Sequence, residues 1–249
     1  MRSALPLVVT VLPFAMPFAA AHDTWVQTAS RVVSPADVVH VDLALGNHGN
    51  GHRDFKFAGK LAAVDDVTLD VIAPQGRRTN LVPALVDLGS SPEEGFWSAR
   101  FVARDGGLHC IAHTLDRQRG TKRTVKSAKA YFLVADGKAD PAAAAEPCAA
   151  PLGHALELVP EMHPVVGCGP GRPVKVRLLF RGRPLADERV SFIPRGAELQ
   201  GDFDGRYERR TDAEGRCSWV AQEGNYVLVV AHRTEPEAAG AGFDKTVYG

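Results

Sequence analysis

The sequence carries no net charge. Its 29 Lys and Arg residues balance 29 Asp and Glu over 249 residues. The broad basic footprint of a nucleic-acid binder is therefore missing. The one basic stretch, residues 117–129, holds Arg117, Arg119, Lys122, Arg123, Lys126 and Lys129, and reads as a solvated hairpin. No apolar run after residue 21 approaches the ~20 residues that would span a membrane. No Cys-x-x-Cys occurs, which removes the usual thiolate zinc and redox motifs. There is no Gly-x-Ser-x-Gly nucleophile elbow and no glycine pattern of a dinucleotide site or P-loop ahead of a helix. The acidic pairs Asp65-Asp66 and Glu93-Glu94 read as solvated turns. Helical periodicity is also missing from every long stretch.

What is present begins at the amino terminus. Residues 2–21 give an early charge at Arg2, an apolar run from Ala4 to Phe18, and small residues at Ala19, Ala20 and Ala21. This is the pattern of a secretory signal peptide with an A-x-A cleavage site. Cutting after Ala21 leaves His22 first in the mature chain, which is then exported to the periplasm or the medium. His22 would offer an α-amino group and an imidazole together. The amine has a reference pKa of about 7.7–8.0, so a metal can compete for its lone pair near neutrality. Such a pair chelates nickel, copper or zinc. Cutting after Ala19 would instead give Ala20-Ala21-His22, an arrangement that also suits square-planar nickel or copper. Pro17 at the third position before that cut argues against it.

Strand signals dominate the rest. In residues 38–45, Val39, Val41, Leu43 and Leu45 alternate with Val38, His40, Asp42 and Ala44. Residues 67–73, 97–103, 108–114 and 128–135 are further short runs, separated by Gly, Pro or Asp. The Ala- and Pro-rich segment 138–152 reads as a linker. A second block carries runs at 155–159, 174–180, 189–194, 206–211, 216–220 and 226–232. Its turns are Arg181-Gly182-Arg183-Pro184 and Asp212-Ala213-Glu214-Gly215. The expectation is an all-β chain of two tandem immunoglobulin-like or transthyretin-like sandwiches, at 22–137 and 153–249. The ending Thr246-Val247-Tyr248-Gly249 reads as a strand just beginning, either cut short or simply brief.

Four cysteines, Cys110, Cys148, Cys168 and Cys217, allow three full pairings in an exported protein. Cys148 and Cys168 lie in loop-like sequence and are the preferred pair; Cys110 and Cys217 sit in strand runs as buried thiols. Among nine histidines, His48 and His52 share the loop Gly46-Asn47-His48-Gly49-Asn50-Gly51-His52, whose glycines permit tight folding. His109 and His113 fall on one face of a strand, but about 13 Å apart. One ion holds imidazole nitrogens at about 2 Å, so at most one of the two joins a site. His113, nearer the expected strand end, is the candidate. His232 closes a strand; His40, His154 and His163 read as structural. The candidate metal ligands are thus His22, His48 and His113.

Several segments together resemble one family. They include His22-Asp23-Thr24-Trp25-Val26, Leu45-Gly46-Asn47-His48-Gly49-Asn50, Leu152-Gly153-His154-Ala155-Leu156, Thr211-Asp212-Ala213-Glu214-Gly215 and Gly242-Phe243-Asp244-Lys245-Thr246. In this order they resemble exported DUF4198 proteins, often labelled nickel uptake transporter (NikM-like). The resemblance implies a two-part β protein associated with nickel or cobalt uptake. The expected function is a non-catalytic metal-binding accessory protein that hands nickel to a membrane transporter, with copper, cobalt and zinc as alternative ions. Two other readings stay open: a histidine-brace copper protein or enzyme, and a metal-free module presenting loops to carbohydrate or protein.

Overall fold

The computed structural model describes residues 23–46, 67–89, 91, 94–135, 137, 150–238 and 240–249. The protein is all-β, as the short punctuated runs predict. Strands are numbered in chain order. One four-stranded antiparallel sheet runs β1 (Asp23–Thr28), β3 (Val38–Gly46), β7 (Trp97–Val102) and β6 (Val86–Asp87). A seven-stranded sheet faces it. Its order is β17 (Arg233–Pro236), β18 (Lys245–Tyr248), β9 (Lys122–Val134), β8 (Gly107–Arg119), β4 (Val67–Ile72) and β5 (Arg78–Asn80). Its seventh member, β2 (Val32–Val33), lies parallel to the far end of β9.

Alternation sets which face each strand buries. Val39, Val41, Leu43 and Leu45 of β3 all enter one core, with Val67, Leu69 and Val71 of β4, Ile111 and Leu115 of β8, and Phe132 and Val134 of β9. His40 stands exposed on the opposite face. A one-residue slip of β3 would turn those four aliphatic side chains outward, at about 1.5–3 kcal/mol each. That cost fixes the register Asp23↔Gly46 through Thr28↔Val41 between β1 and β3.

The second block forms two smaller sheets. One pairs β11 (Pro173–Phe180) with β10 (Leu156–Pro160), β12 (Arg183–Pro184) and β15 (Arg216–Val220). The other runs β14 (Glu208–Arg210), β13 (Arg189–Pro194) and β16 (Val227–Ala231). Val176, Leu178 and Trp219 meet Val190, Phe192 and Ala231 between them. The Phe192 and Trp219 rings stack at 5.9 Å.

Hydrogen bonding also runs back from the second block to the first. β18 pairs in parallel with β9, from Lys245↔Lys122 to Tyr248↔Val125. Its Tyr248 side chain packs in the second block's core, edge-on to Phe180 at 5.1 Å. A third cluster covers the outer face of the seven-stranded sheet, where Ile72, Leu108, Cys110, Ala112 and Leu133 meet Val165.

The Asp212–Gly215 turn is built as its sequence implies. Asp212 Oδ1 accepts the amides of Glu214 at 3.0 Å and Arg216 at 2.7 Å. Gly215 has φ +76°, and a Cβ there would sit 2.6 Å from the Leu178 carbonyl oxygen. Gly215→Ala is therefore expected to cost about 1–3 kcal/mol, read as a lower urea midpoint at unchanged m-value. An unchanged midpoint would count against this account of the turn.

Candidate metal centre

His22, His48 and His52 lie outside the described residues, so the candidate centre is built from what surrounds their points of attachment. β1 begins at Asp23, directly opposite Gly46 at the end of β3. The chain re-enters the facing sheet at Val67. There Val67, Leu115 and Lys126 form one cross-strand rung, and Leu69, His113 and Ala128 form the next. Lys126 Nζ lies 3.4 Å from Asp23 Oδ1 across the two sheets. The start of β1, the end of β3, the start of β4 and the His113 rung thus share one end of the sandwich.

His113 does not sit near a strand end. β8 runs on to Arg119, which leaves His113 mid-strand and 0% exposed. The strand passes its expected end at residue 114: residues 115–119 pair rung by rung with 122–126 of β9. His113 Nδ1 donates to the Thr68 carbonyl at 2.8 Å. Burial pushes its pKa down to about 4, against the opposing Thr68 hydrogen bond, with the positive charges of His154 and Lys126 adding to the fall. At neutral pH the ring is neutral, with its proton on Nδ1 and the lone pair on Nε2. This is the state in which imidazole binds metals, and a backbone carbonyl on the other nitrogen is the usual orienting partner.

His109 shares that inner face, as the strand period predicts, but two rungs away. It is stacked on Phe132 at 4.8 Å and meets Phe101 edge-on at 6.0 Å. Its Nδ1 bonds the Gly107 carbonyl at 3.1 Å. Burial lowers its pKa as well. It is a packed core residue at the other end of the strand.

Asp23 and His232 form a pair that the sequence alone does not bring together. Asp23 Oδ1 accepts from His232 Nε2 at 2.6 Å and faces Lys126 Nζ at 3.4 Å. Burial pushes the Asp23 carboxyl upward, but His232 and Lys126 outweigh it and hold the carboxyl below its ordinary range. Asp23 is thus a carboxylate at neutral pH. Burial in turn lowers Lys126, with Asp23 opposing. The two partners stand 209 positions apart, and only the place of His232 at the end of the strand run 226–232 in sequence hints at a role for this histidine.

A family model described as "Domain of unknown function (DUF4198)" matches residues 19–234. The chain belongs to the DUF4198 family. No curated protein matches it. Among solved structures, it is similar to a DUF4785 family protein from Legionella pneumophila, at 14% identity and TM-score 0.31 over 83% of this chain and 46% of that one. It is also similar to the dimeric latent PorU of Porphyromonas gingivalis, at 16% identity and TM-score 0.24 over 90% of this chain and 20% of that one. A third is the Yersinia pseudotuberculosis adhesin InvE, at 14% identity and TM-score 0.22 over 91% and 58%. The chain spans about half or less of the first two. Likenesses of this size do not extend to function.

Two histidines of this DUF4198 protein read as structural, His154 and His163, make local backbone contacts. His163 Nδ1 accepts the amides of Val165 and Val166, both at 3.2 Å, and so shapes its own turn. The His154 amide donates to Glu157 Oε2 at 3.0 Å. Cys110 is a buried thiol, as expected, and Cys217 is half-buried, with its thiol pushed up to about 11 mainly by burial. Cys168, one half of the preferred pair, carries a free thiol 3.0 Å from the Pro164 carbonyl. Cys148 itself lies outside the described residues. Among the described residues no three His, Cys, Asp or Glu side chains converge as a complete metal cage, and no helix is long and apolar enough to cross a membrane.

Proposed function

We propose that this DUF4198 protein is an exported, non-catalytic metal-binding protein of a nickel or cobalt uptake system. It captures a divalent ion outside the inner membrane and passes it to a membrane transporter. The donors would be the amine and imidazole of His22, the imidazole of His48, and His113. Nickel is the first choice of cargo, because the resemblance that runs from His22 to Thr246 is to proteins carrying a nickel-uptake label. Copper, cobalt and zinc suit the same nitrogen donors.

The observation that carries this reading is the shared end of the sandwich. His22 is one residue from Asp23, and His48 is two residues from Gly46, which pairs with Asp23. The buried His113 rung is next to the rung that reaches Asp23 through Lys126. A neutral His113 with its Nδ1 already held fits the chemistry of a nitrogen ligand.

Protein purified from the exported fraction is expected to begin at His22 by intact mass and to bind about one Ni(II). His22→Ala should lose stoichiometric binding in calorimetry while melting normally without metal. An unchanged isotherm for that variant would overturn the reading. A wild-type melting temperature indifferent to nickel, copper, cobalt and zinc would favour the metal-free module instead, since an ion bound only by the folded state must stabilise it.

A further inference from the structure

We infer that the second block carries a binding groove for an organic carboxylate, built on Arg206 and Arg209 between β14 and β15. It does not rest on the metal-binding reading above. β14 and β15 are edge strands of the two smaller sheets, and they border an open groove of about 490 Å³. That size lies within the ~300–1,000 Å³ of small-molecule sites. Arg206, Tyr207, Arg209, Ser218, Trp219 and Gln222 line it, and no carboxylate is among the lining residues.

Two buried carboxylates fix the cations of the groove. Asp204 is 6% exposed and Glu208 4%. Asp204 holds the Arg206 guanidinium with both oxygens, Oδ1 to Nε at 3.0 Å and Oδ2 to Nη2 at 2.7 Å. It also accepts the amides of Gln200 at 3.1 Å and Arg206 at 3.0 Å. Glu208 accepts the Asp204 amide at 2.6 Å and the Ser191 hydroxyl at 2.8 Å. Arg206 then lies over the Tyr207 ring, 5.1 Å from its centre. Arg209 is braced by neutral groups: its Nη1 donates to the carbonyls of Gly205 and Glu208, both at 2.7 Å. Asp204 cancels Arg206, and Glu208 faces Arg189 at 3.6 Å. Among the described residues the charge of Arg209 is thus left uncancelled.

The lining suits one carboxylate attached to a carbon body. A guanidinium fork matches a carboxylate with two hydrogen bonds, and Nε and Nη2 of Arg209 are not used by the braces. The Tyr207 and Trp219 rings, 6.3 Å apart, supply an aromatic wall. Main-chain pairing with an added peptide strand fits less well, because side chains already cap the edges. Arg209 takes the Gly205 and Glu208 carbonyls, the Trp219 indole takes that of Arg206 at 2.7 Å, and Gln222 takes that of Val220 at 3.2 Å. What the groove offers a ligand is side-chain donors.

The test titrates the full chain with sodium benzoate, galacturonate and triglutamate, and with benzamide and galactose as uncharged controls, followed by nitrogen–proton NMR. At least one carboxylate is expected to shift the Trp219 indole and Arg209 signals at millimolar concentration, while the controls leave them in place. Benzoate would mark a free aromatic acid as the ligand, galacturonate an acidic sugar, and triglutamate an acidic peptide. Arg209→Gln should weaken that binding about tenfold, the value of one charge-assisted hydrogen bond. Ser218→Asp changes an exposed strand position and none of the bracing bonds. It puts a carboxylate into the groove and should remove the shifts. Arg210→Gln, outside the lining, should change nothing. Shifts absent with all three carboxylates, equal shifts with the uncharged controls, or binding undiminished by Ser218→Asp would each overturn the inference.

Discussion

Replacing Lys129 by methionine is expected to lower the unfolding free energy by about 3–5 kcal/mol. Lys129 projects from the outer face of the seven-stranded sheet, and its Nζ lies 2.7 Å from Glu157 Oε1. Both side chains are almost fully buried, at 7% and 2% exposure. The Glu157 carboxylate also accepts the amides of Leu152 at 2.6 Å, Gly153 at 2.9 Å and His154 at 3.0 Å. It therefore ties the chain entering β10 to the sheet of the first block. Burial pushes Glu157 upward, but Lys129 and these amides hold it below the ordinary carboxylate range. Methionine keeps most of the lysine's volume and removes its charge, so the carboxylate stays buried without its cation. Denaturant midpoints measure the loss. The double variant Lys129→Met, Glu157→Gln should recover part of it, because a neutral amide has less need of a cation. A Lys129→Met midpoint equal to wild type would mean that the amides alone satisfy Glu157.

That ion pair marks where sequence reading ends. Alternation locates β3 and its buried face, because each choice is between core and water along a few neighbouring residues. Glycine and aspartate locate the Asp212–Gly215 turn for the same local reason. The carboxyl-terminal half of β8 is missed because Asp116, Arg117, Gln118 and Arg119 are polar. Their pairing with β9 is satisfied by backbone bonds and an Arg123–Asp116 ion pair rather than by burial. Long-range pairings leave no local mark at all. Nothing near Lys245 indicates that β18 will run parallel to β9, and nothing near Asp23 indicates His232. Of the candidate centre, His113 is legible as an inward-facing strand residue, but its depth is not. Its depth depends on a facing sheet whose strands lie elsewhere in sequence.

That depth has a measurable consequence in acid. His113 has a pKa of about 4 in the folded protein, against 6.5 for an exposed histidine. Above pH 6.5 neither state binds the proton, so the contribution of the neutral buried ring is complete. Between pH 6.5 and 4 the unfolded chain takes up a proton that the folded chain refuses, and stability falls. Below about 4 both states are protonated and the loss levels off. The gap corresponds to about 3 kcal/mol lost across that window. His109, also lowered by burial, acts in the same direction. His113→Asn can keep a side-chain N–H near the Thr68 carbonyl but cannot ionise here. Urea midpoints at pH 7, 5.5 and 4 should show the wild type losing stability steeply, and the variant losing about 3 kcal/mol less over the same range. Parallel losses in the two proteins would mean that carboxylates such as Glu157, rather than this core histidine, set the acid limit of the fold.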